Sequence, residues 1–157
     1  MSTSILSTIR NDIIKSYKSQ NEPDYSFVQI NLKRGLYKKF IIELQQVNSA
    51  VDVMDPNDDV CHSLDLKIES RRYLLQLSLV GRFATCFKLA KDGAFIEVLS
   101  DVKEEFKIES LLSKYGIILL SKEDMEIPIN LKLINTEKEN VCVYQALFSD
   151  TDYLPWN

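Results

Sequence analysis

The sequence predicts an α+β fold: N-terminal helices packed on a mainly antiparallel β-meander, with a further helix and short strands at the C-terminal end. Three observations carry this. Residues 60–99 alternate apolar and polar side chains with a period of two, the mark of strands. Ahead of them, Ile5-Ile9-Ile13-Tyr17 and Leu36-Phe40-Leu44 recur at helical spacing. Lys91-Asp92-Gly93 separates two alternating runs, and Asp-Gly accepts the positive φ values of a tight hairpin. A chain of 157 residues is of single-domain size and long enough for one hydrophobic core, so residues 1–157 are read as one domain.

Taken in order, residues 4–19 are expected to be a helix that Ser2, Thr3 or Ser4 caps. It ends at Gln20-Asn21-Glu22-Pro23, because proline disfavours helical geometry in the residue before it. Asp24 is placed to cap the next element. Tyr25 to Val47 reads two ways: one long helix with Gly35 in its middle, or a strand at Ser26–Leu32 followed by a helix from Leu36. Asp52 to Asp59 (DVMDPNDD) is a loop by its Pro, Asn and Asp content. As a calcium loop it fails twice, with Val60 where glycine is needed and Leu66 where a bidentate glutamate belongs.

In the meander, Val60, His62, Leu64, Leu66 and Ile68 form a dry face, and Cys61, Ser63, Asp65, Lys67 and Glu69 a wet one. Tyr73-Leu75-Leu77-Leu79, Phe83-Thr85-Phe87-Leu89 and the run Ala94 to Leu99 continue it. Asp101 is expected to cap a helix that runs to Tyr115. Glu104 and Glu105 fall in its first turn, where the helix dipole favours acids. Gly116 is placed to end that helix in a left-handed conformation. Ile117–Leu120 reads as a buried strand, and Ile127–Leu133 as an alternating run whose Pro128 argues for an edge. Val141–Phe148 reads as the last strand. The tail, SDTDYLPWN, is too aromatic to be left free: it packs on the domain or meets a partner.

The net charge of −4 conceals an asymmetry. Residues 1–49 hold seven Lys/Arg against four Asp/Glu, a balance of +3, and residues 50–157 hold twelve against nineteen, a balance of −7. Lys33, Arg34, Lys38 and Lys39 form a small basic cluster, a pattern typical of a solvated helix face. The acidic body suits a basic partner and is poor at holding phosphate backbones, so neither nucleic acid nor a membrane is an expected ligand. No apolar run approaches a membrane span. The opening MSTSILSTIRN lacks the features of a secretory signal, which predicts a cytoplasmic protein. Cys61, Cys86 and Cys142 are odd in number and widely spaced, as reduced buried thiols are.

No catalytic signature stands out. His62 is the single histidine and shares the apolar face of its strand. Cys61 beside it points the other way, so the two cannot form a nucleophile pair. The four glycines, Gly35, Gly81, Gly93 and Gly116, are too scattered for a phosphate loop. Neither GxSxG nor HExxH occurs. No catalytic residue, cofactor or metal is therefore assigned, and the protein is not expected to be an enzyme.

The C-terminal order of a helix ending in KYG, then IILLS, EIPINLKL and VCVYQALFSDTDYLPW resembles the cytoplasmic immunity proteins of bacterial polymorphic-toxin and contact-dependent growth inhibition systems. The likeness covers Leu111 to Trp156. It implies a nuclease inhibitor of a kind: a small protein that binds one cognate toxin domain, often a nuclease, and occludes its active site as a monomer in a heterodimeric complex. Expected contacts are Asp55, Asp58, Asp59, Glu104, Glu105, Asp150 and Asp152, with Tyr153 and Trp156 as aromatic anchors. Two alternatives stay open: an adaptor or chaperone-like protein-binding module, and a carboxylate-dependent hydrolase.

Overall fold

The computed structural model describes residues 3–57, 59–99 and 108–157. Asp58, Glu104 and Glu105, with the start of the helix expected from Asp101, lie outside the described residues. Helix α1 (Thr3–Tyr17) buries Ile9, Ile13 and Tyr17, the stripe that the spacing predicts. Two more helices come next, α2 (Ser26–Arg34) and α3 (Lys38–Val47). This corrects the single long helix and the strand at Ser26–Leu32, because Gly35 ends α2 in the left-handed region at φ 62°, while the helix expected from Leu36 to Val47 is present as α3. The Gly35 N–H closes the turn on Asn31 and Leu32 carbonyls, the usual device for an αL helix end. No strand forms at Ser26–Leu32. Asp24 Oδ1 accepts from the Ser26 N–H at 2.8 Å, which steers the chain into α2.

Strand β1 (Ser49–Asp52) then opens a six-stranded sheet among the described residues, with β2 (Cys61–Ile68), β3 (Arg71–Ser78), β4 (Phe83–Leu89) and β5 (Phe95–Leu99) in chain order, each antiparallel to the last. The β4–β5 hairpin turns where expected, with Gly93 at φ 91° and Asp92 Oδ1 accepting from the Ala94 N–H. Helix α4 (Ile108–Lys114) ends before Gly116, left-handed at φ 65°. It leads into β6 (Ile118–Leu119), which pairs parallel with β4. The short helix α5 (Lys122–Met125) carries a Ser121–Asp124 capping box.

Two expected strands are absent. Val141–Phe148 contains helix α6 (Val143–Leu147), and every residue of that run is buried. A short run that is apolar except for Gln145 has no clear periodicity to separate strand from helix. The helix signal is Gln145, whose Oε1 accepts from the Cys142 N–H at 2.9 Å. Ile127–Leu133 forms only one bridge, Pro128 to Cys142. Its backbone bonds scatter instead, with the Ile129 N–H to Val141 O and the Lys132 N–H to Gln20 O.

The expected wet face of the sheet is also corrected. His62, Leu64, Leu66, Tyr73, Leu75, Leu77 and Cys86 share one face by register, and the Tyr37 ring meets His62 edge-on. Cys61, Ser63, Gln76, Ser78, Thr85 and Phe87 share the other. The C-terminal segment covers that second face: Cys61 Sγ donates to Phe148 O, and Tyr144 and Trp156 both pack on Phe87. Ser78 and Thr85 are fully buried as a result. Alternation alone misplaces Cys61, which is buried under this layer instead of facing water, and Thr85 and Phe87, which lie on the covered face and not with Tyr73, Leu75 and Leu77. The other end of this face stays open. There the Arg72 guanidinium grips Asp65 with two bonds, at 3.0 and 2.8 Å.

Buried tyrosines tie the helices to the sheet and to one another. Tyr37 donates to the carbonyls of Ser78 and Gly81 at 2.6 and 2.9 Å, and Tyr17 to that of Ala146 at 2.7 Å. Each satisfies a buried carbonyl that would otherwise carry a desolvation cost of roughly 1–3 kcal/mol. Tyr37 thereby holds the start of α3 on the β3–β4 turn and Tyr17 holds α1 against α6, and α2 forms a wall of two clefts, one on each of its sides.

Candidate functional site: an acidic cleft beside α2

The β1–β2 loop is held by its own carboxylates. Asp59 Oδ2 accepts from the Asp55 N–H at 2.7 Å, and Asp55 Oδ1 from the Asn57 N–H at 3.0 Å. Gln29 on α2 donates to Pro56 O at 3.1 Å and draws the loop against the helix. On the far side of the chain, Asp150 does comparable work. Its Oδ2 accepts from the N–H groups of Ile134 and Asn135 at 3.0 and 2.9 Å, and its Oδ1 from Thr136 Oγ1 at 2.7 Å. Asp152 accepts from the Glu137 N–H at 2.9 Å.

These two stapled loops face each other across a cleft of about 750 Å³. Asp59 and Asp150 line it with Gln29, Asn57 and Asn135, over Val28, Val60 and Phe148. Tyr25 forms part of the wall, and its buried hydroxyl has no partner among the described residues. Burial, and then the Asp150 charge, push that phenol up to about 12, so it stays protonated and able to donate. Ile134 stands at the rim, 77% exposed, and Val51 and Val53 are exposed beside the acidic loop. The cleft therefore combines fixed negative charge, an unused donor and apolar surface. A lysine or arginine side chain, with its apolar stem and cationic head, is the chemical complement of such a lining.

No protein-family model, curated protein or solved structure matches this chain.

The expected contact residues divide. Asp59 and Asp150 come together in the cleft, although far apart in sequence, and Asp55 lies in the same loop. Asp152 stands just beyond Asp150, and Tyr153 is 83% exposed. Trp156 is engaged internally: its ring meets Phe87 and Tyr144, and its indole N–H donates to Glu126 at 2.8 Å. Sequence reading missed Tyr25, Gln29 and Asn135, whose roles depend on folding. Ile134 offered one signal, an isoleucine directly before the polar run that starts at Asn135.

The other arrangement with chemical potential is His62 Nδ1 and Asp52 Oδ2, 2.7 Å apart. Such a pair orients an imidazole for proton transfer. Cys61 and Ser63 project from the opposite face of β2, however, so no nucleophile from that strand reaches the ring. What the bond does is join β1 to β2 at the end of the edge strand. Among the described residues, no three His, Cys, Asp or Glu side chains converge as metal ligands. No helix among them is long and apolar enough to cross a membrane.

Proposed function

We propose that this protein acts by binding: it presents the acidic cleft to a basic protein domain and covers that domain's working surface, and it carries out no reaction itself. The observation that carries the reading is the convergence of Asp59 and Asp150, each immobilised by its own loop, around an apolar floor. Charges already held by hydrogen bonds lose little freedom on binding, and that favours affinity. Exposed Ile134, Val51 and Val53 add the apolar contact that charge alone does not provide. With the C-terminal resemblance, this supports an immunity protein acting on a cognate toxin domain, for which a basic nuclease is the natural charge complement.

The test is co-expression with the variable C-terminal domain of a toxin encoded immediately upstream, scoring growth with and without this chain. The purified pair should form a one-to-one complex whose association rate falls as salt rises. Asp59→Asn and Asp150→Asn keep an oxygen acceptor for the loop bonds, and each should slow association. A rate indifferent to both salt and these substitutions sinks the electrostatic reading. Turnover of a substrate by the chain alone, lost in His62→Ala, would end the binding-only reading.

A further inference from the structure

The opposite side of α2 carries a second cleft with the reverse charge. It lies between α1, α2 and the β3–β4 turn, with a volume of about 580 Å³, inside the range of roughly 300–1,000 Å³ usual for small-molecule sites. Lys15, Lys18, Arg34 and Arg82 line it, in a chain whose net charge is −4. Lys18 pairs with Asp24 at 3.2 Å, and Arg82 donates to Tyr115 O at 3.0 Å. Lys15 and Arg34 have no ion-pair partner among the described residues. Arg34 sits in the last turn of α2, where the helix dipole accounts for a cation but not for its place in a cleft.

Between these cations the lining is mostly apolar, with Thr8, Ser16, Ser26 and Asn31 among its polar members. Phe27, Leu36 and Phe83 form the floor, and Ile30 and Ile118 stand at the rim, 51% and 36% exposed. One acid lines the cleft, Asp12. It packs over Gly81, where a Cβ would fall 2.4 Å from its Oδ2. Burial raises its carboxyl above the ordinary value against the opposing Lys15 charge, and one carboxyl against four cations leaves the balance positive. The cleft is also pre-formed: Asn31 Nδ2 holds Leu79 O at 2.7 Å, and Ser16 holds Val80 O at 2.9 Å.

From this juxtaposition we infer that the cleft binds a small amphipathic anion, an apolar chain or ring bearing one carboxylate. The head sits at Arg34 and Lys15, and the body covers Ile30, Phe27 and Ile118. A bare phosphate leaves the apolar lining wet, and a neutral lipid leaves the guanidinium unpaired. Only a ligand with both parts satisfies the lining. The site is independent of the acidic cleft, since it uses other residues and the opposite charge.

Isothermal titration with decanoate tests it, with inorganic phosphate and 1-octanol as the separated parts. Decanoate should bind saturably at one site per chain, and each separated part at least about tenfold more weakly. Arg34→Gln and Lys15→Gln change exposed side chains, so the fold should persist, as an unchanged unfolding transition will verify. Each should weaken decanoate by about tenfold, and Ile30→Asp should abolish saturation. No saturable binding below about 1 mM, or equal affinity for wild type and Arg34→Gln, overturns the proposal.

Discussion

Thr85 carries a hydroxyl that its position cannot use: Oγ1 is buried with no partner among the described residues. Replacing an unpaired buried hydroxyl by a methyl of the same shape removes a desolvation cost without opening a cavity. Thr85→Val should therefore raise stability by about 1 kcal/mol, read as a higher urea midpoint; a lower midpoint would show that the hydroxyl is satisfied. Glu43 is the opposite case. It accepts from Lys114 at 2.7 Å and from the Tyr115 hydroxyl, joining α3 to the end of α4. The Lys114 bond first, then the Tyr115 bond, hold its carboxyl below its ordinary 4.5. A depressed acid stabilises the fold above its unfolded value and loses that contribution as pH falls through its folded one. Glu43→Gln should thus lower the urea midpoint at neutral pH, and the gap from wild type should close below about pH 4.5. A gap that persists in acid would assign the effect to shape and not to charge.

At the scale of elements, the seam between α1 and the β3–β4 turn depends on a missing side chain. A Cβ on Gly81 would lie 2.4 Å from Asp12 Oδ2 and 2.8 Å from Phe83 Cε2. The carboxylate can swing aside, whereas the buried ring cannot. Gly81→Ala should cost about 1–3 kcal/mol, and adding Asp12→Ala should restore only part of it in a double-mutant cycle. Full restoration would mean that Phe83 yields. The elements legible from sequence were those with a clear period, α1 and the meander with its Asp-Gly turn, although the period of the meander did not foretell that its second face is covered as well. Those that failed lacked a usable period. Val141–Phe148 is apolar but for Gln145, and Ile127–Leu133 alternates but spends its backbone bonds elsewhere. Strand β1 is only four residues long and runs directly into the acidic loop. The acidic residues of the cleft were visible individually, but their convergence was not. It arises because α2 draws in one loop through Gln29, while Asp150 ties the tail to residues 134–136.

At the scale of the whole molecule, the described layers cover both faces of the sheet around the thiols, and the thiols report on that closure. Cys61, Cys86 and Cys142 are all buried, and burial pushes the Cys61 thiol up to about 12. All three should resist an aromatic disulfide reagent in the native state and react together on unfolding, with a rate that tracks denaturant. Prompt reaction of any one would show that its layer opens independently. The covering of the second face comes from the last residues of the chain, through Tyr144, Phe148 and Trp156. During synthesis those residues leave the ribosome after the strands they cover, at roughly 5–20 residues per second. A growing chain thus holds that surface bare for a few seconds. The hydroxyls and amide of Ser63, Gln76, Ser78 and Thr85 line the waiting surface, so water can wet it during the interval and neighbouring nascent chains find less to stick to.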